Sequence, residues 1–574
     1  MTGFRPLRAL LILSPVLMLP AAGILYIVKK YNEPIPEYAL PTNRLVVVCV
    51  FDQLRGDYPA RWSPLFGDDG FERMRTDGVW YRSAMLPYAG TTTSAGHASI
   101  STGAAPAVHG VVDNQWFERS KAKVVYAATG DRLYERVPRG AAGGRIKDGG
   151  GLSPDRLLIP TIGDELIKDK SNRVYSLALK DRAAILLGGK TPNGAYWYDP
   201  SQGDFHTSTY YREQLPAWVE AFNASGHRDR WLGGEWTHLR DAKVYPVLSG
   251  PDDAAGEVGQ RTFPHRLPGA DRREDYHAAL EATPFGNELL WEFGKACLES
   301  EQLGKRDGVD LLFLGFSAND PIGHAYGPNS QEVMDATLRT DVLLGEIIQH
   351  LNSVVGPGRY TLIVTADHGV CDLPETERVP KTDGVRFDPN AEYGALNDVL
   401  DEKFGKADGQ AGRWIERFDF PWITLNAAAM KAGNIPPEVI EDTAAQWAAN
   451  RPAVAEAAFT RSQLSGGIQK DTMLRSVQLS FHPERSGDVY LLPKPYALPL
   501  GKASLGTTHG SPHPYDRHVP IFAYGLDVPN LGEQKAAVNS LILGPILCRV
   551  LGIAPTPDLS EKLPSTWNED ASRP

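Results

Sequence analysis

The run RLVVVCVF (Arg44 to Phe51), followed directly by Asp52, sets the expected fold of this 574-residue chain. It is short, apolar and rich in β-branched residues, which is typical of a strand buried on both faces. A helical pattern starts at about Ser330, where apolar side chains recur at helical spacing. Two further runs of the first kind flank this helix: VDLLFLGF (Val309 to Phe316) and YTLIVTA (Tyr360 to Ala366). Strands that alternate with helices predict an α/β fold with a mostly parallel central sheet and helices on both faces.

An aspartate stands at or shortly after the end of each strand-like run: Asp52, Asp320 and Asp367. In parallel sheets the ligand site lies beyond the carboxyl ends of the strands, so these three carboxylates are expected to converge in space. A single strand-end aspartate is more often a helix cap, and taken alone each of them keeps that interpretation.

Three histidines accompany these aspartates: His324 in SANDPIGHAYGP, His368 in TADHG and His509 in GTTHGSPHPYD. A lone histidine is more often a structural residue, but carboxylates and imidazoles together form the mixture that holds zinc at catalytic sites. Pro321 and Gly323 predict that no regular helix joins Asp320 to His324. The sequence therefore predicts a metal site at the edge of the sheet.

The composition excludes two classes of site. A net charge of -11 argues against binding of nucleic-acid polymers, which need clustered lysine and arginine. An anionic substrate would need a local positive site, such as a bound metal. The four cysteines form no CxxC motif and exclude a cysteine-rich zinc module; they are Cys49, Cys297, Cys371 and Cys548. Whether they pair as disulfides or remain buried thiols stays open.

An uncharged segment of twenty residues, Ala9 to Val28, lies near the N-terminus between basic residues. As a helix it would span roughly 30 Å, about one hydrocarbon core. We expect residues 1–30 to form a membrane anchor or a signal segment, and residues 31–43 a proline-rich linker. The main domain is then exported, to the periplasm or another extracytoplasmic compartment. Whether the segment is cleaved stays open.

One catalytic domain is predicted over residues 44–554. Two loop-rich stretches within it, at about 116–284 and 379–478, are expected to cap the site as insertions. The second contains a helical pattern around Pro437 to Asn450. The polar tail, residues 555–574, is expected to be disordered.

Dispersed motifs give this chain a family resemblance. It resembles the alkaline phosphatase superfamily, and more narrowly its nucleotide pyrophosphatase/phosphodiesterase branch, from about Leu45 to Gly525. The resemblance lies in the order Asp52, Thr93, Asp320-x-x-x-His324, Asp367-His368-Gly and His509-Gly.

The stretch TTTSAGH (Thr91 to His97) offers several hydroxyls, and such a run by itself more often marks a turn or a helix cap. In the branch that this chain resembles, the nucleophilic threonine stands four residues before a histidine. It also stands twenty-one residues before the asparagine of an HGxxxN segment. Thr93 meets both spacings, with His97 and Asn114, whereas its two neighbours Thr91 and Thr92 meet neither.

The resemblance implies two zinc ions and a covalent intermediate. Thr93 would attack the phosphorus and form a phosphothreonine that is then hydrolysed. It is expected to open a helix, whose N-terminus favours a phosphate. One zinc ion would be held by Asp52, Asp367, His368 and the Thr93 oxygen, and the other by Asp320, His324 and His509.

The segment LALKDRAAILLGG bears on the choice between phosphate monoesters and diesters. Alone, Lys180 and Arg182 would more often be a solvated charge pair; on a strand they would face the same side. The segment resembles that of the monoesterase subgroup, in which a Lys-x-Arg pair reaches the transferred phosphoryl group. The resemblance therefore implies an alkaline phosphatase that acts on small-molecule phosphate esters. Lys180, Arg182 and Asn114 would bind the phosphoryl oxygens.

Three more histidines belong to the same motifs and are not assigned to metal. His97 and His109 are expected to support the helix that begins at Thr93 and its following turn. His513 is expected to lie behind the ligands or at the surface.

Four other functions remain in competition. A phosphodiesterase or nucleotide pyrophosphatase would use the same metals and Thr93, and differs at Lys180 and Arg182. A sulfatase would need a C/S-x-P-x-R segment, which the sequence lacks. An inactive binding module on this scaffold predicts missing ligands, and a phosphoglycerate mutase-like isomerase predicts serine at position 93. The physiological substrate, the oligomeric state and the identity of the metal stay open.

Overall fold

The computed structural model describes residues 45–139, 151–407, 412–451, 454–470, 473–500 and 506–567. The predicted anchor and linker, residues 1–30 and 31–43, lie outside this part. Within it, no helix combines the length and the apolar character needed to cross a bilayer. A ten-stranded sheet forms the centre, in the spatial order Gly532–Asn539, Gly78–Met85, His518–Gly525, Tyr360–Thr365, Leu45–Phe51, Asp310–Phe316, Arg173–Ala178, Gly194–Asp199, Asp204–Ser208 and Arg136–Val137.

The three predicted strands lie side by side at the middle of this sheet. Leu45–Phe51 pairs in parallel with Asp310–Phe316 on one side and with Tyr360–Thr365 on the other. Every residue of the three strands is buried, so both faces of the sheet are covered here. The mostly parallel α/β architecture is thus confirmed, with antiparallel pairs towards both edges.

Two helices matter most for the position of the site. The helix predicted at Ser330 extends over Gln331–Val354, and the Ser330 hydroxyl caps it by accepting the Val333 N–H. The helix expected at Thr93 is Thr93–Thr102. The other described helices of eight or more residues are Asp181–Gly188, Ala217–Ala224, Arg273–Glu281, Pro284–Ser300, Asn319–Tyr326, Pro389–Phe404, Pro437–Ala449 and Leu543–Leu551.

The first of the two stretches predicted as loop-rich insertions supplies four strands of the central sheet. The prediction that it caps the site was therefore wrong for these segments. They are Arg136–Val137, Arg173–Ala178, Gly194–Asp199 and Asp204–Ser208. These strands are short and stand among glycines and prolines. GAYWYD, for example, owes its strand character to aromatic residues rather than to an aliphatic run.

The second stretch extends beyond its predicted end at residue 478: together with the strand Val489–Pro493 it folds around a core of its own. It contains the predicted helix, observed as Pro437–Ala449, which packs against an antiparallel sheet together with Pro389–Phe404. The strands of that sheet are Ile415–Asp419, Trp422–Leu425, Val489–Pro493 and Ala455–Thr460.

The C-terminal segment is ordered further than the sequence predicted. Trp567 is buried, and its indole N–H donates to the Tyr81 hydroxyl at 2.8 Å. A single aromatic residue thus anchors a polar tail whose composition predicted disorder; residues 568–574 lie outside the described part. All four cysteines are buried free thiols.

Candidate metal and phosphoryl-transfer site

The three strand-end aspartates converge as predicted. Asp52 directly follows its strand, and the Lys180 ammonium links it to Asp320, with Nζ 2.6 Å from Asp52 Oδ2 and 2.5 Å from Asp320 Oδ2. The Gln53 N–H donates to Asp367 Oδ1 at 3.1 Å. The parallel register therefore brings carboxylates that are hundreds of residues apart into one buried cluster.

Asp320 and His324 lie on one helix, Asn319–Tyr326, which corrects the expectation that Pro321 and Gly323 would prevent it. Pro321 is the third residue of this helix, where its backbone nitrogen has no intrahelical partner to lose. Residues four apart share a helix face, and His324 Nε2 lies 3.1 Å from Asp320 Oδ1.

The first predicted ligand set forms a compact group. Asp52, Asp367 and His368 each offer a ligand atom, and these atoms lie within 4.8 Å of one another. His368 Nε2 is 3.4 Å from Asp52 Oδ1 and 3.3 Å from Asp367 Oδ2. Thr93 Oγ1 lies 3.5 Å from the same His368 nitrogen, so the predicted nucleophile faces this set.

The second predicted set adjoins the first. Asp320 Oδ1 lies 3.1 Å from His324 Nε2 and 3.5 Å from His509 Nε2. The rings of His509 and His368 stack with their centroids 3.6 Å apart, so His368 also groups with Asp320 and His509 within 4.8 Å. The two predicted ligand sets thus lie next to each other, with His368 close to both.

Each candidate histidine is oriented by a backbone carbonyl. The Nδ1 atoms of His324, His368 and His509 lie 2.7, 2.9 and 2.7 Å from the carbonyl oxygens of Thr507, Gly369 and Thr91, respectively. A carbonyl oxygen only accepts, so each Nδ1 carries a proton, and Nε2 is the ring atom that a cation would bind. This is how metal-binding histidines are oriented by their surroundings.

Two buried carboxylate oxygens of this cluster are available to a cation. Asp52 Oδ1 and Asp367 Oδ2 are buried without a hydrogen-bond partner in the described part of the chain. Burial, and next the charge of Asp367, raises the pKa of Asp52. Unpaired buried carboxylates are costly, and a metal ion compensates them. Carboxylates with imidazole nitrogens suit zinc, so the residues present fit the predicted metal.

The two stacked histidines have opposite pKa shifts. Burial, and next the neighbouring His509, lowers the pKa of His368 well below its usual range, so this ring is neutral. Burial lowers the pKa of His509 as well, but its hydrogen bond and charge interaction with Asp320 outweigh this and raise it to about 9. A cation bound at His509 would therefore displace a proton.

Thr93, the predicted nucleophile, lies at the start of a helix that packs tightly against Asp367. Thr93 is the first residue of Thr93–Thr102. His97 Nδ1 donates to the Thr93 carbonyl at 2.8 Å and lies 3.2 Å from Asp367 Oδ2. At Gly96 a Cβ atom would come within 2.4 Å of the Asp367 carbonyl oxygen, so this close approach requires glycine.

Asn114 meets the same helix. Its Oδ1 accepts from the backbone N–H and the hydroxyl of Ser94, at 2.9 and 2.8 Å. Because these donors fix the oxygen end of the amide, the NH₂ group is the end that can donate to a phosphoryl oxygen.

Lys180 and Arg182 lie at the start of a helix. They do not face the same side of a strand, as the sequence suggested. Lys180 is the N-cap of Asp181–Gly188, and Arg182 lies in its first turn. Lys180 lines a cavity of about 620 Å³ together with Asp320 and His324. Lys180 thus connects Asp52 of the first ligand set with a cavity that is lined by Asp320 and His324 of the second.

His109 supports the helix Thr93–Thr102 and the turn that follows it, as expected, whereas His513 is buried away from the surface. His109 Nε2 lies 3.0 Å from the Ser99 hydroxyl, and its Nδ1 accepts the Val111 N–H. His513 is buried and donates from Nε2 to the Pro493 carbonyl at 2.7 Å.

The sequence interpretation missed three residues of the site. Gln53 has a positive φ of 65° and donates from Nε2 to Asp320 Oδ1 at 2.6 Å, in addition to its backbone bond to Asp367. Its position next to Asp52 was the available signal. Glu281 and Arg386 line the cavity, but they come from distant segments that carry no motif.

Comparison with known proteins agrees with this geometry. The family model for "Type I phosphodiesterase / nucleotide pyrophosphatase" matches residues 46–516. The chain belongs to this family. The match extends over the three central strands and every residue of the two ligand sets.

Three relatives are similar to most of this chain in sequence. "Alkaline phosphatase PhoV" of Synechococcus elongatus is 31% identical over 500 residues, covering 84% of this chain and 86% of the relative. "Alkaline phosphatase PafA" of Elizabethkingia meningoseptica is 30% identical over 521 residues (90% and 92%). A relative in Myroides odoratus named "Calcium-transporting ATPase" is 31% identical over 523 residues (90% and 92%). Since these names differ, the choice of activity rests on the site.

A solved crystal structure has a fold similar to that of this chain. The crystal structure of wild-type PafA matches with a TM-score of 0.82 at 28% identity, covering 92% of this chain and 99% of that one. A variant of PafA has also been solved with one threonine, one asparagine, one lysine and one arginine substituted. The first two positions are twenty-one residues apart and the last two are two apart. Thr93 and Asn114, and Lys180 and Arg182, have the same spacings.

Proposed function

We propose that this protein is a phosphate monoester hydrolase, an alkaline phosphatase that releases inorganic phosphate from small-molecule phosphate esters. One observation carries the proposal: the Thr93 hydroxyl faces one ligand set while the Lys180 ammonium lies between both sets, beside the cavity. The names of the PhoV and PafA relatives support the same activity.

The reaction begins at Thr93. Its hydroxyl oxygen attacks the phosphorus in line with the leaving oxygen, so that one P–O bond forms as the other breaks, and the hydroxyl proton ends on the leaving oxygen. The alcohol leaves, and the product is a phosphothreonine. Water then cleaves this ester, returning the proton to the Thr93 oxygen and releasing phosphate.

Two zinc ions are the proposed cofactors, one held by Asp52, Asp367, His368 and Thr93 and the other by Asp320, His324 and His509. When bound, they supply positive charge to the attacking and leaving oxygens of an in-line displacement. The protein orients the ligands through the carbonyl-bonded histidines and through Gln53, which hydrogen-bonds to one aspartate of each set.

Three side chains provide the preference for monoesters. A monoester dianion presents three non-bridging oxygens, whereas a diester presents two and an additional bulky group. The Lys180 ammonium, the Arg182 guanidinium and the Asn114 amide are donors near the start of two helices. Their positive charge and hydrogen bonds favour the more highly charged substrate.

Export of the domain is proposed from the sequence of residues 1–30. Cell fractionation, with determination of the N-terminal residue of the mature chain, tests this. Recovery of the full-length chain in the cytoplasm would contradict it.

The nucleophile provides the direct test of the reaction. In the zinc-loaded enzyme, Thr93→Ala is expected to lower monoester hydrolysis by at least about 10³-fold, because the covalent route is lost. Acid-quenched wild-type enzyme should yield a peptide phosphorylated at Thr93. Chelation should abolish activity and zinc should restore it. A variant that retains zinc and keeps more than a tenth of the wild-type rate would exclude Thr93 as the nucleophile.

A further inference from the structure

The cavity beside Lys180 has room for more than a phosphoryl group. Its volume of about 620 Å³ lies within the range of roughly 300–1,000 Å³ that is usual for small-molecule sites. Asp320 and His324 of the second ligand set line it, whereas the Thr93 hydroxyl faces His368 of the first set. In an in-line displacement the leaving oxygen lies opposite the nucleophile, so the leaving alcohol is expected to point into this cavity.

Much of the cavity wall is small and apolar, and two charged side chains interrupt it. The apolar residues include Ala278, Ala282, Pro321, Ala325 and Pro499. Glu281 and Arg386 are the charged residues of the lining in addition to those of the reaction site. They come from distant parts of the chain, Glu281 from the end of the helix Arg273–Glu281 and Arg386 from the strand Val385–Phe387.

Glu281 offers a hydrogen-bond acceptor to the cavity. Its side chain is partly buried, and within the described part of the chain no hydrogen bond or ion pair engages its carboxyl group. Burial raises the pKa of Glu281 to about 7, although the charges of Lys180 and Arg182 act in the opposite direction. At alkaline pH the group is therefore ionised and only accepts hydrogen bonds.

Arg386 offers a hydrogen-bond donor to the same cavity. Its Nε and Nη2 atoms donate to the two carboxylate oxygens of Glu375, and Nη2 also donates to the Gly506 carbonyl at 2.7 Å. These bonds fix the plane of the guanidinium group. Nη1 has no partner among the described residues, so its N–H groups are the ones left for a ligand.

We propose that this cavity is the subsite for the leaving alcohol, and that Glu281 and Arg386 select polyhydroxy alcohols, the class that sugar phosphates contain. The inference rests on the proposed phosphomonoesterase function. A hydroxyl group both donates and accepts, so a ring that carries several hydroxyls satisfies an acceptor and a donor at once. The apolar faces of such a ring suit the small side chains in the rest of the wall.

Charged and purely apolar alcohols fit this wall less well. Glu281 would repel an anionic group, and Glu375 already neutralises the charge of Arg386. A cationic group would lie beside Lys180 and Arg386. An apolar group would cover Glu281 and Arg386 without replacing the hydrogen bonds that they make with water, which costs binding energy.

Two matched monoesters test the proposal: glucose 6-phosphate, and cyclohexylmethyl phosphate, which has a ring of the same size without hydroxyl groups. In the zinc-loaded full-length wild type, kcat/KM is expected to be at least about tenfold higher for glucose 6-phosphate. Glu281→Ala and Arg386→Ala should each lower this ratio at least about fivefold, because each removes a hydrogen bond to the sugar. The ratio cancels any loss of rate that both substrates share, such as one caused by a shift of the loop at Gly506.

Glu274→Ala is the matched control, because Glu274 is an exposed carboxylate on the same helix as Glu281 and does not line the cavity. It should leave the ratio unchanged. Equal kcat/KM values for the two esters in the wild type, or an unchanged ratio in either cavity variant, would overturn the proposal while the phosphomonoesterase activity stood. A wild-type preference for cyclohexylmethyl phosphate with a carboxylate on its ring would also overturn it. Hydrolysis of none of these esters would contradict the proposed function and this inference with it.

Discussion

At the scale of single residues, the chemistry of the site depends on which atom of each polar side chain already forms a hydrogen bond. The candidate histidines have Nδ1 bonded to carbonyls, and Asn114 has its oxygen bonded to Ser94. The Nε2 atoms are thus left for cations, which would displace a proton at His509, and the amide NH₂ is left for a phosphoryl oxygen. The chemistry of the site follows from these local hydrogen bonds.

Asn114 gives the prediction at this scale. Asn114→Ala is expected to lower kcat/KM for a monoester by about 10²-fold, since one donor to the transition state is lost. Ser94→Ala removes one of the two bonds that orient Asn114 but leaves the backbone N–H in place. Its effect should therefore be no more than about tenfold. Equal losses in the two variants would mean that Asn114 orients the helix and does not bind the phosphoryl group.

At the scale of elements, the helix Thr93–Thr102 closely contacts Asp367, just after the strand Tyr360–Thr365. This contact holds Thr93, the proposed nucleophile, beside His368. Gly96 permits this contact, because a side chain there would overlap the backbone of Asp367.

Gly96→Ala is expected to lower kcat/KM at least about 10²-fold, since a displacement of the order of 1 Å misplaces the reacting oxygen. Gly394→Ala is the matched control: it lies within Pro389–Phe404, and its Cβ would have no atom within 4 Å. It should leave the rate unchanged and stabilise the fold by about 0.5–1 kcal/mol. Steady-state kinetics with urea unfolding of both variants checks this. Full activity in Gly96→Ala would show that the contact is not required.

Helix geometry also explains what the sequence could not predict. The strands were recognisable because continuous aliphatic runs indicate burial on both faces, and the ligands because they follow those runs. The helix through Asp320 and His324 was missed because the effect of Pro321 depends on its place in the first turn. Gln53 was missed because neither its positive φ nor its bonds to two distant aspartates leave a pattern in the sequence.

At the scale of the whole molecule, stability couples to pH through buried neutral histidines. Burial, and next the charge of Arg485, lowers the pKa of His109 to about 3. Because the unfolded chain binds this proton at about pH 6.5, the stabilisation is present above that pH and is lost as the pH falls towards 3.

When the pH is lowered from 8 to 5, the free energy of unfolding of the wild type is expected to fall by about 2 kcal/mol more than that of His109→Gln, because the variant lacks this histidine. Urea unfolding of both proteins at the two pH values checks this, and the comparison cancels the protonation of ligands common to both. A difference between the two proteins that does not change with pH would contradict the neutral, buried state of His109.

The central claim is that the site hydrolyses monoesters because it binds their extra charge. The ratio of kcat/KM for a monoester to kcat/KM for the matching diester tests it most directly. We would measure kcat/KM for a phosphate monoester and its matching diester at alkaline pH, with the zinc-loaded wild type and the Lys180→Ala/Arg182→Ala variant. Zinc content and circular dichroism establish that the variant is folded. The account predicts a wild-type preference for the monoester, and at least a 10²-fold loss of monoester hydrolysis in the variant, with diester hydrolysis changed only a few-fold. A wild-type preference for the diester that the variant leaves unchanged would contradict it and make the protein a phosphodiesterase.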